Sequence, residues 1–236
     1  LQKTEEPRRR FVSDASHELK TPLAAIRLLT DSILQTDNID PATAREFVSD
    51  IGAEAERLSR ITEDLLRLTR LDSDVLEPAV RVEVLPVLQQ VLRMMELLAE
   101  ERNIAVTYEA EEGCCVRSTR DEIHQVVYNL VDNALKYTGS GGRVEVRLFR
   151  EGGDVVLTVA DNGVGIPEEE LPRVFERFYR VDKARSRAAG GTGLGLSIVS
   201  DTVKKRGGTI SAANREGGGT VFTVRWAECP EGGESA

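Results

Sequence analysis

The stretch ASHELKTPLAAIRLLTDSI, residues 15–33, decides how the first part of this chain folds. Its apolar or core-compatible positions Ala15, Leu19, Pro22, Ile26, Leu29 and Ile33 recur at steps of 4, 3, 4, 3 and 4. That is the heptad period of a helix packed along one stripe. After the turn-like Asp37-Asn38-Ile39-Asp40-Pro41, a second helical pattern runs through Ile51, Ala55, Leu58, Ile61, Leu65 and Leu68. The two helices read as a hairpin, and a hairpin alone cannot cover both of its apolar stripes. A second copy would cover them as a four-helix bundle about a two-fold axis, so a homodimer is predicted. The alternative is a two-helix arm folded onto the rest of the chain.

Beyond residues 72–78 the helical period ends and helices alternate with strands, which predicts a domain boundary. The expected organisation is a helical domain over 1–72, a linker over 73–79, a second domain over 80–228 and a tail over 229–236. Within the second domain the pattern predicts helices over 86–102, 121–136 and 193–206, and strands over 104–108, 143–150, 154–160, 209–213 and 220–226. Glu151-Gly152-Gly153 is a hairpin signal between the second and third of these strands. The fold class is therefore an all-α hairpin followed by an α+β sandwich, with helices on one face of a sheet. Between Gly163 and Thr192 lies a long segment with one short helical pattern, 168–179, and loops of that length in compact domains are usually lids or disordered.

Composition narrows the partners. Lys and Arg number 31 against 40 Asp and Glu, a net charge of -9, which argues against nucleic acid. The three cysteines, Cys114, Cys115 and Cys229, have neither disulfide-framework nor metal-ligand spacing, so a reducing compartment is expected. No stretch reaches the roughly 20 apolar residues of a membrane helix. The chain opens inside a polar, helix-compatible run rather than at Met, from which an upstream part is expected, one with room for membrane spans.

His17 falls two positions after Ala15 and two before Leu19, so it points away from the apolar stripe. An imidazole ordinarily titrates near pH ~6.5, and its neutral ring can attack phosphorus without a separate deprotonation. Pro22 removes a helix donor one turn later and should bend the helix there. Thr21, four residues on, shares the face of His17. A zinc-protease helix would need a second His at position 21, and the chain's two histidines, His17 and His124, have no cysteine near them in sequence.

On the helix predicted over 121–136, Asn129, Asn133 and Lys136 fall on one stripe, while Ile123, Val127, Leu130 and Ala134 form the packing stripe. Side-chain carbonyl oxygens suit Mg2+, and Lys136 suits a phosphate. A solvated polar face would read the same way on this helix alone. The strand over 154–160 then ends at Asp161-Asn162-Gly163-Val164-Gly165, where the carboxylate can accept from an exocyclic amine such as adenine's. Gly163 and Gly165 permit close backbone approach and positive φ. A second cluster, Gly190-Gly191-Thr192-Gly193-Leu194-Gly195-Leu196, leads into a helix whose N-terminus suits phosphate. There is no Gly-Lys dipeptide, so no P-loop, and neither cluster completes G-x-G-x-x-G.

These residues together carry a resemblance. FVSDASHELKTPL, residues 11–23, looks like the H box of bacterial two-component sensor histidine kinases. NLVDNALKY (129–137) resembles their N box, DNGVG (161–165) the first glycine box, FERFYR (175–180) the F box and GTGLGL (191–196) the second glycine box. The order is the family's, and the match spans about residues 8–226.

The resemblance implies a dimerisation and phosphoacceptor hairpin followed by a GHKL-type ATP-binding domain, cytoplasmic and built for Mg2+ and ATP. It implies autophosphorylation on His17 and transfer to an aspartate of a response regulator, with phosphatase activity in the reverse direction. Asn133 would hold Mg2+ with Asn129 beside it, and Asp161 would read adenine. Lys136, Tyr137 and Arg180 would contact nucleotide, together with Gly163, Gly165, Gly191, Thr192, Gly193, Leu194 and Gly195. Glu18 would act as general base or orienter of His17, and Thr21 would serve the phosphatase reaction. Two rivals remain at this point. An ATP-hydrolysing GHKL machine would carry a water-activating Glu where this chain has Asn129, and a catalytically silent scaffold would not need Asn133, Asp161, Gly163 and Gly193.

Overall fold

The computed structural model describes residues 2–36, 38–73, 77–182 and 191–229, with side chains from residue 11 onward. Asp37 of the expected turn, residues 74–76 of the expected linker, Gly190, and the tail over 230–236 lie outside the described residues. The chain divides into two compact units: Leu1–Arg70 with Asp182–Leu194, and Leu71–Val181 with Gly195–Ala236.

The first unit is built on α1 (Gln2–Gln35) and α2 (Pro41–Leu71). Asn38 takes a left-handed φ of 63° in the turn between them. Asp40 then caps α2, its Oδ1 accepting from Ala42 N at 2.9 Å and Thr43 N at 3.1 Å, and Pro41 occupies the first helical position, where its missing donor costs nothing. The hydrogen bonds from Thr43 hold the Asp40 carboxyl below the usual carboxylate range. Ala15, Ile61 and Leu68 are buried, whereas Leu19, Ile26, Leu29 and Ile33 of the α1 stripe are only half-buried. Helix α1 continues without a break through Pro22.

The second unit carries a five-stranded sheet in the order β2-β4-β5-β7-β6, built from β2 (Ala105–Ala110), β4 (Arg143–Glu151), β5 (Asp154–Asp161), β6 (Thr209–Asn214) and β7 (Thr220–Ala227). Only β2 and β4 run parallel, and the crossover between them contains α4 (Arg120–Tyr137). Gly152 and Gly153, at φ 63° and 88°, make the two-residue turn that their sequence predicted between β4 and β5. Alternate residues of β4 and β7 face inward: Val144, Val146, Leu148, Phe222, Val224 and Trp226 join Leu88 and Val91 of α3 (Val84–Glu101), Leu130 and Ala134 of α4, and Val199 and Val203 of α5 (Gly195–Lys205) in one core. Outward positions carry charges paired across strands, as in Arg147–Glu109 at 2.8 Å and Arg225–Glu151 at 2.5 Å. One covered face and one charged face is the layer arrangement expected from the sequence.

Three features depart from expectation. A second sheet, β1 (Val80–Glu83) with β3 (Cys115–Ser118), was not anticipated, because strands of 4 residues carry too few alternations to register as a period. The helical pattern over 168–179 forms a 3-10 turn over Leu171–Arg173 flanked by turns, since Pro172 sits at its start and Phe178 takes a left-handed φ of 62°. The helix expected from 193 begins at Gly195, after Gly193 adopts φ 75°.

Candidate functional site

In the second unit the site is built on α4. Thr119 and Glu122 close a capping box at its start, with Thr119 Oγ1 accepting from Glu122 N at 3.2 Å and Glu122 Oε2 accepting from Thr119 N at 3.1 Å. Ile123, Val126, Val127, Leu130, Val131, Ala134 and Leu135 are buried against the sheet, which leaves Asn129, Asn133 and Lys136 on the other side, partly exposed. Lys136 Nζ pairs with Asp132 Oδ2 at 2.5 Å within the same helix. Asn129 Nδ2 is buried without a hydrogen-bond partner among the described residues, and a Cβ added at Gly195 would come within 3.1 Å of Asn129 Oδ1. The start of α5 therefore approaches α4 closely, beside an amide whose donor is unused.

Asp161 ends β5 with only 3% of its surface exposed. Its Oδ1 accepts from Gly163 N at 2.8 Å and Thr220 N at 3.3 Å. Burial raises its pKa above the ordinary aspartate value against the lowering effect of those two bonds and of Arg215. A buried carboxylate held by backbone donors at one oxygen is a preorganised acceptor for an amine that approaches the other. The glycines serve this placement in different ways. Gly165 uses its freedom directly, at φ 70°, while Gly163 is needed because a Cβ there would lie 2.2 Å from the carbonyl oxygen of Tyr137. That close approach ties the end of β5 to the end of α4, so Asp161 and the α4 stripe belong to one piece of structure. Asn214 adds a brace, accepting from Ile166 N at 2.9 Å and donating to Ile166 O at 2.6 Å.

Sequence reasoning missed Gly219 and Thr220. Gly219 has φ 92°, and a Cβ on it would meet Asp161 O at 2.0 Å, while Thr220 supplies a donor to the carboxylate. The run Gly217-Gly218-Gly219 was the available signal.

Arg180 lies after the Phe175–Phe178 turn, partly exposed, and Phe175 packs edge-on against Phe222 with ring centroids 6.3 Å apart. Arg177 is clamped by Asp72 at 2.6 Å and Asp201 at 2.9 Å, which pushes its pKa further up, the Asp72 bond first.

The remaining predicted residues lie in the first unit. His17 is exposed on α1, as its offset from the apolar stripe required. Thr21 Oγ1 donates to His17 O at 3.2 Å, which fixes the hydroxyl on the turn that carries the imidazole. Glu18 is half-buried and reaches across to α2, where Arg57 Nη2 lies 3.4 Å from its Oε2. Arg57 was not singled out from the sequence. Gly191, Thr192, Gly193 and Leu194 also group with this unit; Thr192 Oγ1 donates to Asp64 Oδ2 at 2.8 Å and accepts from Leu194 N at 3.2 Å.

Among the described residues no group of three or more His, Cys, Asp or Glu could hold a metal ion. A divalent ion at this site would rest on the amide oxygens of Asn129 and Asn133 together with ligand phosphates, a hard-oxygen set that fits Mg2+. No helix among the described residues is long and apolar enough to cross a membrane.

Two family models match the chain. Residues 7–74 match the His Kinase A (phospho-acceptor) domain, and residues 118–229 match the histidine kinase-, DNA gyrase B-, and HSP90-like ATPase. Among curated relatives, the sensor-like histidine kinase SenX3 of Mycolicibacterium smegmatis is 37% identical over 228 residues, covering 96% of this chain and 59% of its own length. The chain thus spans little more than half of such a relative. Among solved structures, the catalytic domain of histidine kinase ThkA is 30% identical with a TM-score of 0.58, covering 65% of this chain and all of that one. ThkA in complex with response regulator protein TrrA gives a TM-score of 0.76 at 25% identity, over 98% of this chain and 66% of that chain. With a phosphoacceptor domain, a GHKL-type ATPase domain and five motifs in order, the chain belongs to the sensor histidine kinases.

Proposed function

We propose that the chain is the cytoplasmic core of a homodimeric sensor histidine kinase, which phosphorylates its own His17 from Mg-ATP and passes the phosphoryl group to an aspartate of a response regulator. The observation that carries this reading is that one chain holds both an exposed imidazole on α1 and, in its other unit, a buried, backbone-held carboxylate, Asp161, packed beside the Asn129–Asn133–Lys136 stripe. Asp161 accepts the adenine amine, and the α4 stripe and Arg180 meet the phosphates. Bound Mg2+ would neutralise phosphate charge, held by Asn133 with Asn129 beside it.

A ring nitrogen of His17 attacks the γ-phosphorus in line, the bond to the β-phosphate oxygen breaks, and ADP leaves. The proton on the other ring nitrogen passes toward Glu18 as the charge develops. Positioning and charge neutralisation carry most of such a transfer, so the exposed setting of His17 is suited to two successive reactants. In the second step the phosphoryl group moves from nitrogen to the regulator's aspartate. The ThkA–TrrA complex supports a partner of this class. Thr21, held on the same helical turn, would orient water in the reverse, phosphatase direction.

Incubation with γ-labelled ATP and Mg2+ tests the reading. An acid-labile, base-stable phosphoprotein should form, and His17→Gln should abolish it; label that survives this substitution defeats the assignment. Release of phosphate from ATP without any phosphoprotein would favour an ATPase instead.

A further inference from the structure

In the hairpin one buried side chain does not belong to an apolar stripe. Arg57 of α2 is 4% exposed, the only charged residue among the buried described residues of the first unit. It stands four residues before the fully buried Ile61, on the face that faces α1. Its Nη2 lies 3.4 Å from Glu18 Oε2, and its Nη1 lies 3.9 Å from Glu54 Oε2. Burying a guanidinium is costly, and replacing such ion pairs with apolar residues of similar volume often leaves a protein as stable or more so. Packing alone therefore gives no reason for an arginine here.

What the arginine does is restrain Glu18. That carboxylate follows His17 directly in sequence, and neighbouring helical residues diverge by about 100°, so helix geometry by itself does not hold the two side chains together. A glutamate has three rotatable bonds, and a half-buried one samples several rotamers unless something fixes it. The planar fork of an arginine anchored in the seam is well suited to fix it, and Glu54 steadies that fork from one turn earlier on α2.

We propose that Arg57 is a positioning residue for the phosphoacceptor site, holding the Glu18 carboxylate where it receives the His17 proton. This rests on the reading above, in which Glu18 assists His17. No bond is made or broken at Arg57, and its effect is on how often the carboxylate is in place. Because Arg57 is engaged with Glu18 and Glu54 and is not among the residues proposed to hold nucleotide, its loss should lower the rate of autophosphorylation without changing the KM for ATP.

The test measures autophosphorylation of the whole chain with labelled ATP. Arg57→Met, which keeps the apolar stem, should lower kcat by about ten- to a hundredfold, as displaced catalytic groups do, with KM within about twofold of wild type. Arg57→Lys should recover part of the rate. Adding Glu18→Gln to Arg57→Met should cost little more, because both remove the same function. A wild-type kcat in Arg57→Met, or losses that multiply in the double variant, would overturn the proposal. If Glu18→Gln alone keeps full activity, the role given to Glu18 has failed, a different result from a slow Glu18→Gln beside a fast Arg57→Met. Should Arg57→Met not fold, Arg57→Lys and Arg57→Gln decide: a kcat order of Arg, Lys, Gln at constant KM supports the role, and equal rates for Lys and Gln sink it.

Discussion

Helix α2 and strand β5 bury themselves in contrasting ways. Of the 31 residues of α2, three are buried, Arg57, Ile61 and Leu68. The 8-residue β5 buries Val155, Val156, Leu157, Val159, Ala160 and Asp161. A central strand is covered on its edges by neighbours and on one face by helices, so its unit closes its own core. A two-helix hairpin leaves each stripe half-covered, and large apolar side chains such as Leu28 and Leu66 stay 68% and 57% exposed. The α/β unit is thus built to be stable by itself, whereas the hairpin has apolar surface to spare for a second copy and devotes a seam position to a charge. The closed core lies in one unit and the proposed phosphoacceptor in the other.

The hardest blow to the α/β side should come from Gly219→Ala. At φ 92° and with its new Cβ 2.0 Å from Asp161 O, this substitution strains the backbone and pushes on the carbonyl of Asp161, the residue proposed to read adenine. A loss of about 4 kcal/mol is expected in denaturant unfolding. An unchanged midpoint would mean that β7 does not approach β5 so closely.

A smaller effect sharpens the contrast between the units. Leu148→Ala, in the closed core, should cost about 3 kcal/mol, while Leu66→Ala should cost well under about 1 kcal/mol in the single hairpin. Calorimetry should also give a hairpin transition whose midpoint rises with protein concentration and an α/β transition that does not move. A hairpin transition that ignores concentration would remove the homodimer.

The third test is electrostatic. Arg206, 7% exposed in its side chain, grips Glu122 through bonds of 2.6 and 2.9 Å. Burial by itself would raise the Glu122 pKa, but the bonds from Arg206, Ser118 and Thr119 outweigh it and bring the net value below the ordinary glutamate value of 4.5. A depressed carboxylate contributes stability that is present above its unfolded value and lost as pH falls through the folded one. Arg206→Met should therefore cost about 2 kcal/mol at neutral pH. Its cost should shrink as pH falls below 4.5, and a cost that stays constant into acid would assign the effect to packing.

Much of this was legible in the sequence because it is local. The 3.6 and 2 periods of the long helices and strands, the Gly152-Gly153 turn, and the offset that exposes His17 all depend on neighbours within a turn or two. The short β1 and β3 were not legible, since each borrows its order from the other across the fold. Within the candidate site, the α4 stripe and Asp161 were found as motifs. Gly219 and Thr220 were not, because their purpose is to press on a strand 59 residues away.

The sequence by itself determined the two-part architecture and the family, and singled out His17 as the proposed phosphoacceptor, because periodicity and ordered motifs are written along the chain. Only the tertiary structure decided which partner each polar group takes. Arg57 meets Glu18 across 39 residues, and Arg206 meets Glu122 across 84. The chain holds 31 basic and 40 acidic residues, so no local rule selects those pairs. Packing selects them, by bringing particular faces together and making an unmatched charge there costly.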